Sequence, residues 1–308
     1  MNPKTWTGLL LLAASYGQLL FPRRLFAHPT VFFHGYPVVP ANLLGIAAAY
    51  STLGVILIGE GICQRLGAPS LLDRVTRDWG TFGRFLIAAA AAGLAMEALG
   101  QWLAKLWIYP YWTVWFYCIV LLPGFAFYWT AIAESYLAVK AILDSRIRTP
   151  VEAGSTRYMW MAGLAGAGVL LASGLGYASW YAAHGGYFFA NTRPVPQAPP
   201  FGYMVFAFLG TLMLVEWIRP TVLPSLRRGY WTPVAAIVIS SVAMAFLLET
   251  LNGVNHFWAY THFPWPDLTL AGVQLSMVAS WPLQYLTFLL LPSLLLPTLA
   301  DLFWRPGS

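Results

Sequence analysis

"DWGTFGRFLIAAAAAGLAMEALGQWLAKLWIYPYW" (residues 78–112) and "GYWTPVAAIVISSVAMAFLLETLNGVNHFWAYTHF" (residues 229–263) decide the fold. Each holds an apolar run of about 20 residues, enough for a helix to cross roughly 30 Å of hydrocarbon. Each then places a glutamate near the end of that run, an amide side chain about a turn further on, and a cluster of aromatics. With a one-residue gap, Glu97 aligns with Glu249, Trp107 with Trp258 and Tyr109 with Tyr260. A carboxyl inside an apolar helix is costly, and its presence at matched positions asks for an explanation.

The same correspondence extends outward. "FFHGYPVVPANLLG" (32–45) resembles "YFFANTRPVPQAPPFG" (187–202), and "LGVILIGEG" (53–61) resembles "LGTLMLVEW" (209–217), which aligns Glu60 with Glu216. The expected architecture is an all-α polytopic membrane protein of about eight transmembrane helices, at 5–21, 42–60, 83–105, 113–140, 158–182, 202–219, 232–253 and 274–300. They fall in two tandem four-helix repeats, residues 1–145 and 156–305, joined by a charged linker at 146–155. An even number of helices per copy gives both copies one orientation, related by an axis near the membrane normal. The opening "MNPKTWTGLLLLAASYGQLLF" has the look of a signal peptide. It is read instead as a retained first helix, because the second copy has a counterpart to it.

Composition agrees with this reading. Of 308 residues, 59% are hydrophobic and only 9% charged, against about a quarter charged in soluble domains. Alternating ten-residue strands of a barrel are absent from the sequence. The net charge of +6 is not a nucleic-acid signature. Thirteen of the 17 Lys and Arg residues fall on one side of the expected topology, and Arg23, Arg24, Lys105 and Arg193 on the other. By the positive-inside rule both termini are cytoplasmic, as in a multi-pass protein of a bacterial inner membrane. Cys63 and Cys118 lie in different expected helices and form no Cys-x-x-Cys, which excludes a disulfide framework or thiolate metal site.

Polar residues gather on the outer side. Glu97 lies fourteen residues beyond Gly83, roughly 21 Å at 1.5 Å per residue. Glu249, Asn252 and His256 share one helical face, as do Glu97, Gln101 and Lys105. Desolvation at this depth favours a neutral acid able to give up a proton; the competing role is an interhelical hydrogen bond joining helices three and seven. Glu60, Glu134 and Glu216 fall near cytoplasmic helix ends and are expected to reach water. All five histidines, His28, His34, His184, His256 and His262, map outside. Their spacings match no metal signature, so hydrogen bonding or proton shuttling beside Glu249 is preferred to a metal site. No cofactor is expected.

Aromatics crown the acids in "KLWIYPYWTVWFY" (105–117), "HFWAYTHFPWP" (256–266), "HPTVFFHGYP" (28–37) and "HGGYFFANTRP" (184–194). Part of this is an interfacial belt. The outer concentration suits the roof of a pocket whose ring faces stabilise a cation. The spacing of Glu97 before "WIY" and of Glu249 before "WAY" resembles the integral-membrane carotenoid cyclases of the heterodimeric lycopene-cyclase type and related membrane terpene cyclases. In those enzymes a Pro-Leu-Glu-Glu-type element follows on the next helix. Here "WPLQYLTF" (281–288) carries Gln284 and Tyr285 in place of the acids, and "LPGFAFYW" (122–129) has none. The resemblance implies acid-initiated, redox-neutral chemistry on an isoprenoid.

The expected function is therefore a membrane enzyme performing cyclisation, hydration or isomerisation of an isoprenoid or lipid. Glu97 and Glu249 are the proton-transfer residues, and His256 and Asn252 tune Glu249. Gln101, Trp107, Tyr109, Trp258, Tyr260, Trp281, Gln284 and Tyr285 contact the substrate. The alternatives are a transporter or lipid- or pigment-binding protein, a non-catalytic subunit of a membrane complex, and a metal-dependent enzyme using the outer histidines.

Overall fold

The computed structural model describes residues 2–20, 31–33, 36–38, 41–109, 122–147, 156, 158–185, 196–255 and 258–305. Long apolar runs produce α1 (Pro3–Leu20), α2 (Ala41–Leu66), α4 (Trp79–Glu97), α5 (Leu122–Asp144), α6 (Met159–His184), α7 (Phe201–Ile218), α9 (Thr232–Asn255) and α10 (Leu275–Leu295), the last continuing through Pro282 and Pro292. Shorter helices are α3 (Leu71–Thr76), α8 (Val222–Arg227) and α11 (Pro297–Trp304). Among the described residues five helices are long and apolar enough to cross a membrane: Trp79–Leu103, Met159–His184, Phe201–Ile218, Thr232–Gly253 and Leu275–Leu295. The protein is an all-helical membrane protein with little sheet.

Chain breaks follow local chemistry. Ser70 caps α3 by accepting from the Asp73 N–H at 3.1 Å. Asp78 caps α4, taking the Gly80 and Thr81 N–H groups at 3.0 and 2.9 Å and the Thr81 hydroxyl at 2.7 Å. Those donors hold its carboxyl below its ordinary value of 3.8. The helix expected over 274–300 is two helices. Pro297 forces Leu296 into an extended conformation (φ −126°, ψ 88°) and starts α11 afresh.

Two helical hairpins are joined by glycine contacts of the same kind. On Gly8 of α1 a Cβ would lie 2.6 Å from the Gly54 carbonyl oxygen of α2, and on Gly54 one would lie 2.9 Å from that of Gly8. Gly166 of α6 and Gly210 of α7 meet likewise, at 2.8 and 2.9 Å. Only glycine permits this backbone approach. Between the hairpins, α5 and α10 pack with α4 and α9 around buried Tyr136, Tyr285 and Phe288, the Trp129 and Phe288 rings lying 4.2 Å apart. The Tyr136 hydroxyl donates to the Phe303 carbonyl at 2.6 Å and Lys140 donates to that of Arg305 at 2.8 Å, fastening α11 to α5.

Glu60, Glu134 and Glu216 are not solvated. Their exposures are 3%, 0% and 4%. The short helices α3 and α8 deliver N–H donors to Glu134 and Glu216. Glu134 accepts from the Leu72 N–H of α3 at 2.7 Å. Glu216 accepts from Val222 and Leu223 of α8 at 2.9 and 3.0 Å and from the Thr221 hydroxyl. Glu60 pairs with Lys4 at 2.5 Å.

Three small antiparallel ribbons complete the described structure. β1 (Val31–Phe33) pairs with β2 (Tyr36–Val38), β3 (Trp107–Ile108) with β4 (Ala259–Tyr260), and β5 (Thr269–Leu270) with β6 (Val273–Gln274).

Candidate functional site

Glu97 is the last α-helical residue of α4, and the chain continues as a π turn over Ala98–Leu103. A π turn accommodates one extra residue within a helix. Lys105, at φ 57°, then reverses the backbone into β3. On the other side α9 presents Glu249 and Asn252 before the chain enters β4. The two strands meet with Trp107 opposite Tyr260 and Ile108 opposite Ala259. Thr261 extends the ribbon, its N–H donating to Leu106 O at 2.9 Å and its hydroxyl to Lys105 O at 2.7 Å.

Each carboxyl is gripped from its own segment. The Trp107 indole N–H donates to Glu97 Oε2 at 3.1 Å, and the Tyr109 hydroxyl donates to Oε1 at 2.6 Å. The Tyr260 hydroxyl donates to Glu249 Oε1 at 2.5 Å, and the Trp258 side chain also hydrogen-bonds to Glu249. Asn252 braces this second grip. Its amide donates to the Trp258 carbonyl at 3.1 Å and more loosely to Glu249 Oε2 at 3.4 Å, and its oxygen accepts the Trp258 N–H at 3.1 Å. The tryptophan and tyrosine donors come from the β3–β4 ribbon and the residues flanking it, beyond the helices that carry the two acids.

Both acids open onto one cavity of about 510 Å³, within the range of small-molecule sites. Trp107, Tyr109, Trp258, Tyr260, Trp281 and Gln284 also line it. Its remaining walls are mostly apolar, with Phe125, Tyr128, Phe201, Phe208, Phe263 and Met277 prominent. Tyr128 lies within electrostatic reach of both acids and accepts from the Gln284 amide at 3.4 Å. Trp281 crosses Tyr128 edge to face, and Tyr260 crosses Phe263, with centroids 6.3 and 5.0 Å apart.

Gln101, Asn252 and Tyr285 are buried but are not cavity walls. The Trp107 ring lies across Gly100, where a Cβ would approach its Cη2 within 1.8 Å, and so covers the turn that carries Gln101. Tyr285 turns toward α5 and hydrogen-bonds to the Ser135 hydroxyl at 2.9 Å. His28, His34 and His256 lie outside the described residues. His184 stacks on Trp180, 4.7 Å away, and its Nδ1 meets the Trp180 carbonyl at 2.9 Å. His262 is half-buried. Among the described residues no group of three or more His, Cys, Asp and Glu could hold a metal ion.

The sequence reading did not single out Tyr128, Phe125, Phe201, Phe208, Phe263 or Met277. Tyr128 and Phe125 fall in "LPGFAFYW", which attracted notice only for its lack of acids. The available signal was that stretch's alignment with "WPLQYLTF", which also supplies cavity walls.

Fold and site together define an integral membrane protein with two acids in a largely apolar, aromatic-walled cavity. No protein-family model, curated protein or solved structure matches the chain.

Proposed function

We propose that this protein is a membrane enzyme that carries out acid-initiated, redox-neutral chemistry on an isoprenoid or a similar apolar lipid. The observation that carries the reading is the convergence of Glu97 and Glu249, each gripped by a tryptophan and a tyrosine, on one largely apolar cavity. One carboxyl gives its proton to the π pair of an olefin, forming a C–H bond and leaving a carbocation. The aromatic faces stabilise that cation. The second carboxylate takes a proton from a neighbouring carbon, and the released C–H pair closes a double bond. Atoms and electrons balance without an oxidant. Positioned acid–base catalysis of this kind contributes about 10²–10⁴-fold, and the shape of the cavity supplies the remainder.

The chain is read as eight spans in two four-helix repeats, with both termini cytoplasmic and the β3–β4 ribbon at the outer end. Three observations support the duplication. Gly8 meets Gly54 as Gly166 meets Gly210. The ribbon register is self-complementary: exchanging Trp107 with Trp258 and Tyr109 with Tyr260 returns the same pairing. The single-residue gap between the aligned halves falls where the π turn absorbs one extra residue. The resemblance to membrane carotenoid and terpene cyclases is consistent with the paired acids. Gln284 in the wall marks a departure from their acidic element, so the reaction is assigned to Glu97 and Glu249. Replacing Glu249 by Gln should abolish turnover of a panel of acyclic polyenes while leaving the fold intact; full activity in that variant removes the assignment.

A further inference from the structure

We infer that the ligand of this cavity is uncharged and enters sideways, from the lipid of the leaflet at the ribbon end, past a lip built from Phe127, Trp265 and the β5–β6 hairpin. The inference rests on the reading that the cavity is the binding site, and extends it to a route and a ligand class.

Phe127 and Trp265 line the cavity and are nevertheless 58% and 70% exposed. A side chain that does both stands at the mouth. Phe127 belongs to α5, and Trp265 precedes the hairpin that leads directly into the apolar helix α10. The Leu275 N–H donates to the Leu268 carbonyl at 2.9 Å and ties the hairpin to the start of that helix. The hairpin therefore sits at the membrane boundary. Leu268 and Leu270 on it are 54% and 57% exposed, and its one charged residue is Asp267. Exposed tryptophan and leucine side chains at such a boundary lie in lipid at little cost, whereas in water they form an unfavourable patch.

The lip has a fixed base. Trp265 and Ala271 both hold φ 51°, a left-handed conformation that β-carbons disfavour, and Gly272 holds φ 78°. Gln274 donates to the Pro264 carbonyl at 3.0 Å, anchoring the residue before Trp265 to the foot of α10. With its backbone set between Pro264 and Pro266, Trp265 opens the mouth by side-chain rotation. The charge of the walls fixes the ligand class. Among the described residues lining the cavity there is no Lys, Arg or His, and the only acids are Glu97 and Glu249. Among these described residues a diphosphate or other anionic headgroup meets two carboxyls and no cation, while an uncharged polyene or prenyl alcohol meets mostly apolar wall, with Gln284 and the Tyr128 and Ser280 hydroxyls among its few polar points.

The test uses the full chain in phosphatidylcholine nanodiscs, with retinol as an uncharged fluorescent isoprenoid and farnesyl diphosphate as its anionic competitor. Stopped-flow energy transfer from tryptophan to retinol reads association and dissociation. The expected result is saturable retinol binding that excess farnesyl diphosphate does not displace. Phe127→Arg and Trp265→Arg should each slow association and dissociation together, by about tenfold, because a charge now stands in an apolar passage. Both side chains are more than half exposed, so the substitutions need no core repacking, and saturable retinol binding retained in each variant shows an intact cavity. Displacement by farnesyl diphosphate, absence of saturable retinol binding, or parental rates in both variants overturns the inference. Turnover is not read. If Glu249→Gln retains activity the proton chemistry fails, yet the entry rates still decide the lip.

Discussion

Glu97 and Glu249 would have been easy to dismiss as helix glue, since buried acids in membrane helices often bond across to a neighbour. Trp107 with Tyr109 and Trp258 with Tyr260, from the ribbon and its flanks just beyond the helices that carry the two acids, donate to them. The matched spacing was legible in the sequence because carboxyl, tryptophan and tyrosine recur in one order with a single gap. Tyr128 stands out less, because in a chain that is 16% aromatic its only signal is the alignment of its stretch with "WPLQYLTF". Glu60, Glu134 and Glu216 misled for a physical reason. A glutamate at a helix end reaches water unless a separate element covers it; α3 at Glu134 and α8 at Glu216 are too short to announce themselves by periodicity, and Glu60 meets Lys4 of α1. Gly100 yields a direct prediction. Gly100→Ala sets a methyl against the Trp107 ring and should push the indole off Glu97, lowering the unfolding free energy by about 1–3 kcal/mol and activity with it. Thermal unfolding and turnover check this; a parental melting temperature would show that the indole is not held there.

At the scale of elements, the glycine contacts make a paired prediction. Gly8→Val and Gly166→Val should each force apart a helical hairpin, α1–α2 or α6–α7, and destabilise by about 1–3 kcal/mol, typical of overpacking. If the halves are equivalent the two losses are similar in detergent melts; loss from only one would break the equivalence. The α4 cap supplies a pH dependence. The carboxyl of Asp78 is held below its ordinary value of 3.8, so its capping contribution is present above that value and disappears as pH falls through the lower folded one. Acid unfolding below about pH 3.8 should therefore be less steep in Asp78→Asn, which still caps but does not titrate. An identical acid limb in both proteins would remove Asp78 from the account. Ribbons of two-residue strands escape sequence reading altogether, because alternation needs more residues to show, and so the device joining Trp107 to Tyr260 had no sequence signal beyond the aromatics themselves.

For the whole molecule, the meeting of β3 with β4 ties the end of α4 to the end of α9 beside the cavity. With Cys63 and Cys118 replaced by Ser, Ile108→Cys/Ala259→Cys places two thiols at the centre of that ribbon, where the residues face one another. Mild oxidation should cross-link them within one chain, seen as a mobility shift reversed by reductant; failure to form the bond would mean that the strands do not pair. The all-helical membrane class was plain from composition and long apolar runs. Topology, repeat number and substrate are finer readings, and Glu97 and Glu249 in one cavity are the point on which they converge. Mass spectrometry of the apolar molecules extracted from the purified protein tests that point most directly, comparing the parent with Glu249→Gln. The expected result is an isoprenoid product with the parent and its unconverted precursor with the variant. Indistinguishable extracts from the two proteins, or bulk phospholipid alone from both, would contradict proton-driven chemistry in this cavity.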